Sequence, residues 1–388
     1  MWTIREALTG QPLHDGQAWA YSSSVTSSLL RIPSREGSID EAFLRSRIRT
    51  TPGAKSRPLL KRKRAGRMEA GGMKAVVIDG YGSADRLTLR DIDKPAPGTN
   101  QVVLRVRATS VNPIDWKLRK GMLRFVRPLK FPFILGFDVA GVVEEVGSGA
   151  TRWRSGDEVY ASIRRGGCYA EYVAANESAL ARKPEKLSFE EAAAVPLAAL
   201  TALQALRDTA ALKPGHRVLI NGASGGVGAS AVQVAVALGG RVTGVTSTRN
   251  LELVRQLGAE RVIDYTREDF ASQDEMYDVI FDVVPNRSFG TCSRVLAPTG
   301  LYVTTVPGAG SLVWGLLTSC FGLVGYGKRC RWIVMKPNGP DLEFLALWME
   351  QGKLKPLIDR IYSLEEIRQA HEYSESGRAR GKIVIRVQ

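Results

Sequence analysis

Histidine and cysteine are scarce in this chain of 388 residues, which has three histidines and four cysteines. The cysteines are scattered, and they are Cys168, Cys292, Cys320 and Cys330. They form no CxxC pair, and no histidine lies at ligand spacing from them. This argues against a structural zinc site and against a disulfide framework. Reduced thiols in a reducing compartment are the favoured interpretation.

Long apolar runs are also missing, since no stretch of about 18 apolar residues occurs. The longest candidate, residues 312–326, is short and contains glycine, serine and threonine. The sequence therefore does not support a membrane-spanning helix. What is present is typical of a soluble globular protein, with 44% apolar and 24% charged residues and 39 glycines. Such a length allows two or three domains.

Positive charge is concentrated at the start of the chain. Of the formal net charge of +15, residues 1–72 contribute +7, from ten arginines and three lysines against six acids. This part ends in a basic run at 55–67 and shows no stable periodic pattern. Four interpretations of residues 1–72 stay open: a disordered leader, a targeting peptide, a basic arm, or an extension upstream of a true start at Met68 or Met73.

From Met73 onward, short β-rich stretches alternate with glycine turns, which predicts an irregular β-barrel-like domain up to about residue 185. A helix is expected to begin at Ser188, because Glu191 follows at capping-box spacing. After it, strands and helices alternate. The predicted strands are 217–222, 241–247, 261–265, 277–284 and 300–306. Repeated βα units with apolar strands indicate a parallel sheet covered on both faces, the dinucleotide-binding layout. The strand that closes the chain is expected to return to the first domain.

A glycine-rich turn lies between the first strand of this alternation and the helix after it. In the pattern GxGxxG, Ala223 stands at the first glycine and Gly225 and Gly228 at the others, so the match is imperfect. Backbone N–H groups at the helix start, those of Gly226 and Val227, are expected to face a pyrophosphate together with the Ser224 turn. The alternative is an ordinary turn in another α/β domain.

The second strand of the alternation ends without the acid that would bind the ribose of NAD. Instead it ends in Ser247, Thr248 and Arg249, which suit a 2′-phosphate, and NADPH is therefore preferred over NADH. Arg249 could also be a solvent-exposed residue of the next helix. Tyr265, at the end of the third strand, either flanks the adenine or caps the sheet.

Residues 73–388 resemble a zinc-independent member of the medium-chain dehydrogenase/reductase superfamily, in its quinone oxidoreductase group. The resemblance rests on several stretches, which are MKAVVIDGYG, SVNPIDWKLRKG, FPFILGFDVAGVVEEVG, GCYAEYV, AAAVPLAALTALQAL, NGASGGVG, LGAERVIDY and RGKIVI. Within the group the chain is most similar to the chloroplast-envelope homologues and the reticulon-interacting mitochondrial branch. NPIDWK and GFDVAG occupy the places where zinc enzymes of the superfamily carry ligands.

The resemblance implies an α/β protein of two domains. A GroES-like irregular β-barrel domain is expected at 73–190 and about 353–388, and a Rossmann domain with a doubly wound parallel sheet at 191–352. It also implies an NADPH-dependent reduction of an activated alkene or a quinone by hydride transfer. The enolate that forms needs hydrogen bonds and a proton.

The resemblance also implies roles for single residues at matching positions. Asn112 and Asp115 are expected to face the nicotinamide, and Lys117 is expected to approach the cofactor phosphate or ribose. Thr201 lies under the nicotinamide ring, and Lys382 reaches back to the nucleotide. Each has an ordinary alternative: a turn at Asn112 before proline, a bond within the helix for Thr201, and solvation for the two lysines. A further residue, Tyr81, is a candidate proton donor.

Residues 311–332 form an apolar stretch followed by cations, and three interpretations stay open. It lies in the core or at a dimer contact, it lines the substrate entrance, or it makes a peripheral membrane contact through Lys328, Arg329 and Arg331. The expected partners are a small enone or quinone and no nucleic acid, and the chain is expected to be a homodimer or a monomer. The competing function is a catalytically idle protein that binds NADPH and a membrane or a partner. For the compartment, a chloroplast or mitochondrion is favoured slightly over the cytoplasm.

Overall fold

The structure is a computed structural model that describes residues 72–284, 286–305 and 327–388. The predictions for the leader at 1–71 and for the apolar stretch at 311–326 lie outside the described residues. Within the described ranges, no helix is both long enough and apolar enough to span a bilayer.

The first part of the described chain is mainly β-structure, as its alternation predicts. Its strands are β1 (Gly72–Ile78), β2 (Thr88–Asp93), β3 (Gln101–Val111), β4 (Phe133–Ile134), β5 (Asp138–Val146), β6 (Glu158–Ser162), β7 (Tyr172–Asn176) and β8 (Leu180–Arg182). Later strands are β9 (Arg217–Asn221), β10 (Arg241–Thr246), β11 (Arg261–Asp264), β12 (Tyr277–Asp282), β13 (Leu296–Thr304), β14 (Arg329–Trp332), β15 (Ile358–Ser363) and β16 (Lys382–Arg386).

Eight α-helices are described, and a π-helix at Gln204–Thr209 continues the third of them. They are α1 (Pro113–Arg119), α2 (Phe189–Ala193), α3 (Pro196–Leu203), α4 (Gly226–Ala237), α5 (Leu251–Gln256), α6 (Phe289–Cys292), α7 (Gly339–Glu350) and α8 (Ile367–Glu375). The expected capping box is present, because the Ser188 hydroxyl accepts from Glu191 N and Glu191 bonds back to Ser188 N.

The first domain is built from two sheets. One has the order β2-β1-β4, and the other has seven strands in the order β15-β16-β3-β5-β6-β8, with β7 also on β3. The long strand β3 pairs with β5, β7 and β16, which explains why its residues are almost continuously buried. The closing strand β16 thus joins the first domain, as expected.

The second domain has a six-stranded sheet in the order β11-β10-β9-β12-β13-β14, and every pair in it is parallel. Numbered from β9, this is the order 3-2-1-4-5-6 of the doubly wound dinucleotide-binding fold, whose ligands bind where the order reverses. The expected fold class is therefore confirmed. The domain boundaries at 190 and 352 stay predictions.

The sixth parallel strand, β14, was not predicted from the sequence. It uses the last residues of the 311–332 stretch, and Cys330 on it is fully buried. Lys328 Nζ, just before it, donates to the Ser293 carbonyl at 2.6 Å. Strand β14 is therefore the edge strand of the sheet, because its backbone pairs with the side of β13 that β12 leaves free.

Candidate active site

The turn after β9 is where the parallel sheet reverses its order, and it requires glycine at two positions. Gly222 has a φ of +83°, which side chains other than glycine rarely adopt. A Cβ on Gly228 would lie 2.0 Å from the Gly222 carbonyl oxygen, so α4 can approach the turn only because that atom is missing. The imperfect GxGxxG match therefore keeps the glycine that closes the turn.

The first turn of α4 offers a set of backbone donors. Gly225 is the N-cap, and Ala229 N is the first to bond back, to the Gly225 carbonyl at 2.8 Å. The N–H groups of Gly226, Val227 and Gly228 therefore have no acceptor within the helix. A tight turn with glycine at Gly222, Gly225 and Gly226, followed by such free donors, is the arrangement that a pyrophosphate needs.

The chain around Lys382 crosses this helix start. Gly381 N donates to the Ser224 carbonyl at 3.0 Å, and Gly381 forms a parallel bridge with Gly225. The aliphatic stem of Lys382 passes over Gly226, where a Cβ would lie 2.9 Å from Lys382 Cδ. The last strand of the first domain therefore covers the glycine turn of the second.

The ammonium group of Lys382 ends in a buried polar cluster of the first domain. It donates to Asp138 Oδ2 at 3.1 Å and to Asn112 Oδ1. Asp138 Oδ2 also accepts from Asn112 Nδ2 at 2.9 Å and from Ser110 Oγ at 2.6 Å. Its other oxygen accepts from Leu197 N at 2.7 Å, where α3 begins. Asn112, Asp138 and Lys382 are at most 5% exposed. The Asn112 amide thus uses both of its ends inside the protein.

Asp115 is buried and holds two backbone segments together. Its carboxylate accepts from Asn112 N at 2.8 Å and from Gly136 N at 2.8 Å. Burial raises the pKa of Asp115 to about 7, against the lowering effect of these two bonds. The visible role of Asp115 is to fix the start of α1 against the turn before β5, and contact with a substrate stays a prediction.

Two further predicted residues lie at α1, Lys117 within the helix and Tyr81 beside its end. The Tyr81 hydroxyl accepts from Leu129 N at 2.9 Å, and its ring packs edge-on against Phe131. Lys117 is half-buried, and desolvation lowers the pKa of its ammonium group. Among the residues that the structure describes, no carboxylate lies within ion-pair distance of Lys117. Such a cation is suited to an anionic ligand.

Thr201 makes a hydrogen bond within its own helix, which was the alternative to a cofactor contact. Its hydroxyl donates to the Leu197 carbonyl at 2.6 Å within α3, and the residue is 6% exposed. The same turn of helix is tied to Asp138 through Leu197 N. Helix α3 thus brings Thr201 to the boundary between the two domains, and its expected place under a nicotinamide ring stays a prediction.

The end of β10 forms a second polar group beside the glycine turn. Ser224 Oγ accepts from Thr246 Oγ1 at 2.8 Å and from Asn250 Nδ2 at 3.0 Å. The Asn250 amide also lies 3.3 Å from Ser247 Oγ, while its Oδ1 is buried without a partner among the described residues. An unpaired buried acceptor at this position is suited to a ligand hydroxyl.

Arg249, Thr248 and Tyr265 surround that group. Arg249 Nη2 donates to the Arg378 carbonyl at 2.9 Å, and Tyr265 is 59% exposed. The Thr248 hydroxyl donates to the carboxylate of Asp264. The hydrogen bond from Thr248, with two more from Thr266, lowers the pKa of Asp264, so an ionised acid lies beside the expected phosphate position.

Sequence reasoning missed several residues of these clusters. Asp138 was considered only as the place of an absent zinc ligand, although it is the first acid after 22 residues without one and opens an apolar strand. Asp264 ends the third parallel strand, a position that could have indicated it. Nothing local indicates Arg378, because only the crossing of β16 over the glycine turn brings it to Arg249. Within the described ranges, no group of three histidine, cysteine, aspartate or glutamate side chains could hold a metal ion.

Comparisons with known proteins agree with this geometry. Residues 98–185 match the alcohol dehydrogenase GroES-like domain, and residues 257–385 match the zinc-binding dehydrogenase family. The chloroplast envelope quinone oxidoreductase homolog of Arabidopsis thaliana is 36% identical over 325 residues, covering 81% of this chain and 98% of its own. The chloroplastic NADPH-dependent alkenal/one oxidoreductase of the same plant is 36% identical over 327 residues, covering 81% and 79%. The solved quinone oxidoreductase of Coxiella burnetii superposes with a TM-score of 0.72 at 35% identity, covering 82% of this chain and 100% of that one.

Proposed function

This chain belongs to the quinone oxidoreductase group of the medium-chain dehydrogenase/reductase superfamily, and we propose that it reduces an activated alkene or a quinone with NADPH and without zinc. It is an NAD(P)H-dependent oxidoreductase. The observation that carries the proposal is the crossing of Lys382 from the glycine turn to the Asn112–Asp138 cluster. Lys382 therefore connects the glycine turn, which fits a dinucleotide, with the buried polar cluster of Asn112 and Asp138.

The residues of the glycine turn fit a dinucleotide. Backbone donors of Gly226, Val227 and Gly228 hold the pyrophosphate, with Ser224 and Gly225 shaping the turn. Asn250 Oδ1 is placed to accept from a ribose hydroxyl, because it is buried and unpaired beside Ser224 and Ser247. The remaining cofactor contacts assigned here are Lys117, Thr201, Tyr265 and Lys382.

Preference for NADPH depends on the charges at the end of β10. Arg249 and the hydroxyl of Ser247 bind the 2′-phosphate, and Thr248 joins them when its hydroxyl hydrogen turns from Asp264 to the phosphate. The Arg249–Arg378 bond places a second guanidinium-bearing residue at the same edge. Asp264 opposes this preference, because its carboxylate is hydrogen-bonded to Thr248. The preference is therefore a balance of opposite charges.

NADPH, when bound, supplies a hydride to the electrophilic carbon of an α,β-unsaturated carbonyl or to a quinone. The protein's own groups then stabilise the negative charge that develops on the substrate oxygen. Lys382 contributes a buried positive charge at the junction of the domains. Tyr81 is placed to deliver a proton, because its hydroxyl accepts from Leu129 N and keeps its own hydrogen for donation. Asn112 and Asp115 act as positioning residues, since their polar atoms are bonded inside the protein.

The buried charges support a mechanism without zinc. Lys382 already places a cation 3.1 Å from Asp138 Oδ2, so a divalent ion at this carboxylate would meet strong repulsion. The nearby Cys168 is fully buried in the core of the first domain. His371 is likewise enclosed against Tyr169.

A second candidate function is a protein that binds NADPH without turnover. It is favoured by one observation: Asn112 and Asp115 are fully engaged in internal bonds and present no free acid or base. Assays separate the two functions. The proposed enzyme oxidises NADPH in the presence of alkenals, enones or quinones, whereas the idle protein binds NADPH and leaves every member of such a panel unreduced.

Cofactor selectivity is tested by Arg249→Glu. We expect kcat/KM for NADPH to fall by about tenfold to a hundredfold while that for NADH changes by less than about threefold, since only NADPH carries the phosphate. The matched control is Arg255→Glu, which makes the same charge change on α5, where Arg255 pairs with Glu252. Equal losses for both cofactors in Arg249→Glu would contradict the assigned phosphate site.

An organelle is the proposed compartment, since both plant relatives have names that place them in the chloroplast. A fluorescent fusion of the full chain, compared with one that lacks residues 1–72, tests this. Uptake into plastids or mitochondria that depends on residues 1–72 supports a targeting role. The same cytosolic signal from both fusions would exclude it. The oligomeric state, a homodimer or a monomer, stays a prediction. Light scattering of the full chain measures it.

A further inference from the structure

Residues 121–130 expose three large apolar side chains on one surface of the first domain. Met122 is 61% exposed, Phe125 is 87% exposed and Val126 is 66% exposed. Single exposed apolar residues are ordinary, but a contiguous group of them marks a contact surface. We call Met122, Phe125 and Val126 the apolar tip.

The segment that carries the apolar tip is held in a fixed shape. Leu123 and Leu129 pack inward against the core beneath β16 and α8. Leu129 N donates to the Tyr81 hydroxyl at 2.9 Å, and Arg127 N donates to the Leu123 carbonyl at 2.7 Å. The two inner leucines are therefore packed and the backbone of the segment is hydrogen-bonded, while the apolar tip is exposed.

Positive charge predominates around the apolar tip. Between Asp115 and Asp138 the sequence contains no acid and six cations. Arg119 is buried, and both Arg119 and Lys120 pair with Glu375 of α8. This leaves Lys117, Arg124, Arg127 and Lys130 without a carboxylate partner among the described residues. Arg124 and Lys130 are exposed, and the Arg124 guanidinium lies 4.8 Å from the centre of the Phe125 ring. A second basic turn adjoins the segment, because Arg127 Nη2 donates to the Arg164 carbonyl at 2.7 Å and the exposed Arg165 follows.

The geometry points to residues 121–130 as a docking surface for an anionic phospholipid bilayer, with the apolar tip in the acyl boundary and Arg124, Lys130 and Arg165 at the headgroups. Such a combination of aromatic and aliphatic side chains with surrounding cations is what an interfacial contact requires. This inference does not depend on the reaction. It also differs from the contact expected at Lys328, Arg329 and Arg331, which lie at the edge of the parallel sheet.

The test is flotation of the full chain with vesicles of phosphatidylcholine, with and without phosphatidylglycerol. The test variant carries Met122→Ser, Phe125→Ser and Val126→Ser. The control carries Val334→Ser, Leu347→Ser and Ile361→Ser, which remove three other exposed apolar side chains. We expect the test variant to lose about tenfold or more in partitioning to anionic vesicles and the control to stay within about twofold. Thermal melting checks that both variants fold.

The basic leader could bind anionic vesicles by itself, so a second measurement reports on the apolar tip alone. The chain has seven tryptophans, so the emission due to Phe125→Trp is obtained as the difference from the unsubstituted chain under the same conditions. This difference emission is expected to shift to the blue when anionic vesicles are added, and added salt is expected to weaken the shift. Arg124→Glu with Lys130→Glu is expected to abolish it. Unchanged partitioning of the serine test variant, or an emission that does not move, would overturn the inference. A halved mass of that variant in solution without any lipid dependence would instead identify a contact between copies of this chain, and would overturn it too.

Discussion

The ammonium group of Lys382 lies 3.1 Å from the carboxylate of Asp138, and 244 residues separate the two along the chain. Both are buried, and the pair is completed by Asn112 and Ser110. Because Lys382 also covers the start of α4, this one pair connects the barrel, the closing strand and the glycine turn.

Removing one partner of this pair is expected to be costly. Lys382→Met leaves the carboxylate of Asp138 buried without its cation, and the free energy of unfolding should fall by about 3–5 kcal/mol. Chemical denaturation measures this loss. In the double variant Lys382→Met, Asp138→Asn, much of the loss should return, since no unpaired charge remains. If the double variant were as unstable as the sum of the single variants, the pair would not be coupled as the structure indicates.

Two glycines of the same turn make a matched pair of tests. Gly228→Ala places a methyl group 2.0 Å from a backbone carbonyl oxygen, whereas the nearest atom to a Cβ on Gly225 is 3.6 Å away. We expect Gly228→Ala to lower the free energy of unfolding by about 1–3 kcal/mol and to weaken NADPH binding. Gly225→Ala should leave the stability within about 0.5 kcal/mol. Denaturation curves and cofactor fluorescence measure both, and equal stabilities would contradict the close approach of α4.

Two buried groups of the first domain are expected to oppose each other in the pH dependence of stability. Burial, helped by Arg119, lowers the pKa of His371 to about 3, and burial raises the pKa of Asp115 to about 7. Between about pH 4 and pH 6.5 the unfolded chain holds a proton on His371 that the native chain lacks. The native chain holds one on Asp115 that the unfolded chain lacks. The two contributions to the slope, each about 1.4 kcal/mol per pH unit, therefore cancel.

Single variants should reveal each slope. In Asp115→Asn only the His371 contribution remains, so stability should fall as the pH is lowered from 6.5 towards 4. In His371→Gln only the Asp115 contribution remains, so stability should rise over the same change. Denaturation midpoints at several pH values measure this, relative to the unsubstituted chain. Parallel profiles of the two variants would contradict the assigned protonation states.

Asp264 is expected to limit the preference for NADPH. Asp264→Asn removes the negative charge that Thr248 hydrogen-bonds, so kcat/KM for NADPH should rise by about threefold to tenfold relative to NADH. The control is Glu260→Gln, because Glu260 precedes β11 at the opposite end of the same strand and pairs with Arg241. Steady-state kinetics with both cofactors measure the ratio. A ratio that moves as much in the control would show that the effect is not local to Thr248.

Much of the fold could be read from the sequence because its signals are local. Apolar, β-branched segments separated by helices predicted the parallel sheet, and Ser188 with Glu191 predicted a helix start. The strand β14 was missed, since it is only four residues long and follows an apolar stretch without a periodic pattern. It becomes a strand because β13 offers a free edge, which is a property of the assembled sheet.

The sequence by itself determined the fold class, the glycine turn and the family resemblance, because residue types at fixed spacing decide those features. Only the tertiary structure decided what Asn112, Asp115 and Lys382 do. Their bonds to Asp138 and to backbone groups depend on β16 returning to β3 and crossing the start of α4. A hydrogen bond needs its two atoms within about 3 Å of each other. Contacts of that length between distant residues are fixed by the closure of the sheets, which no local pattern records.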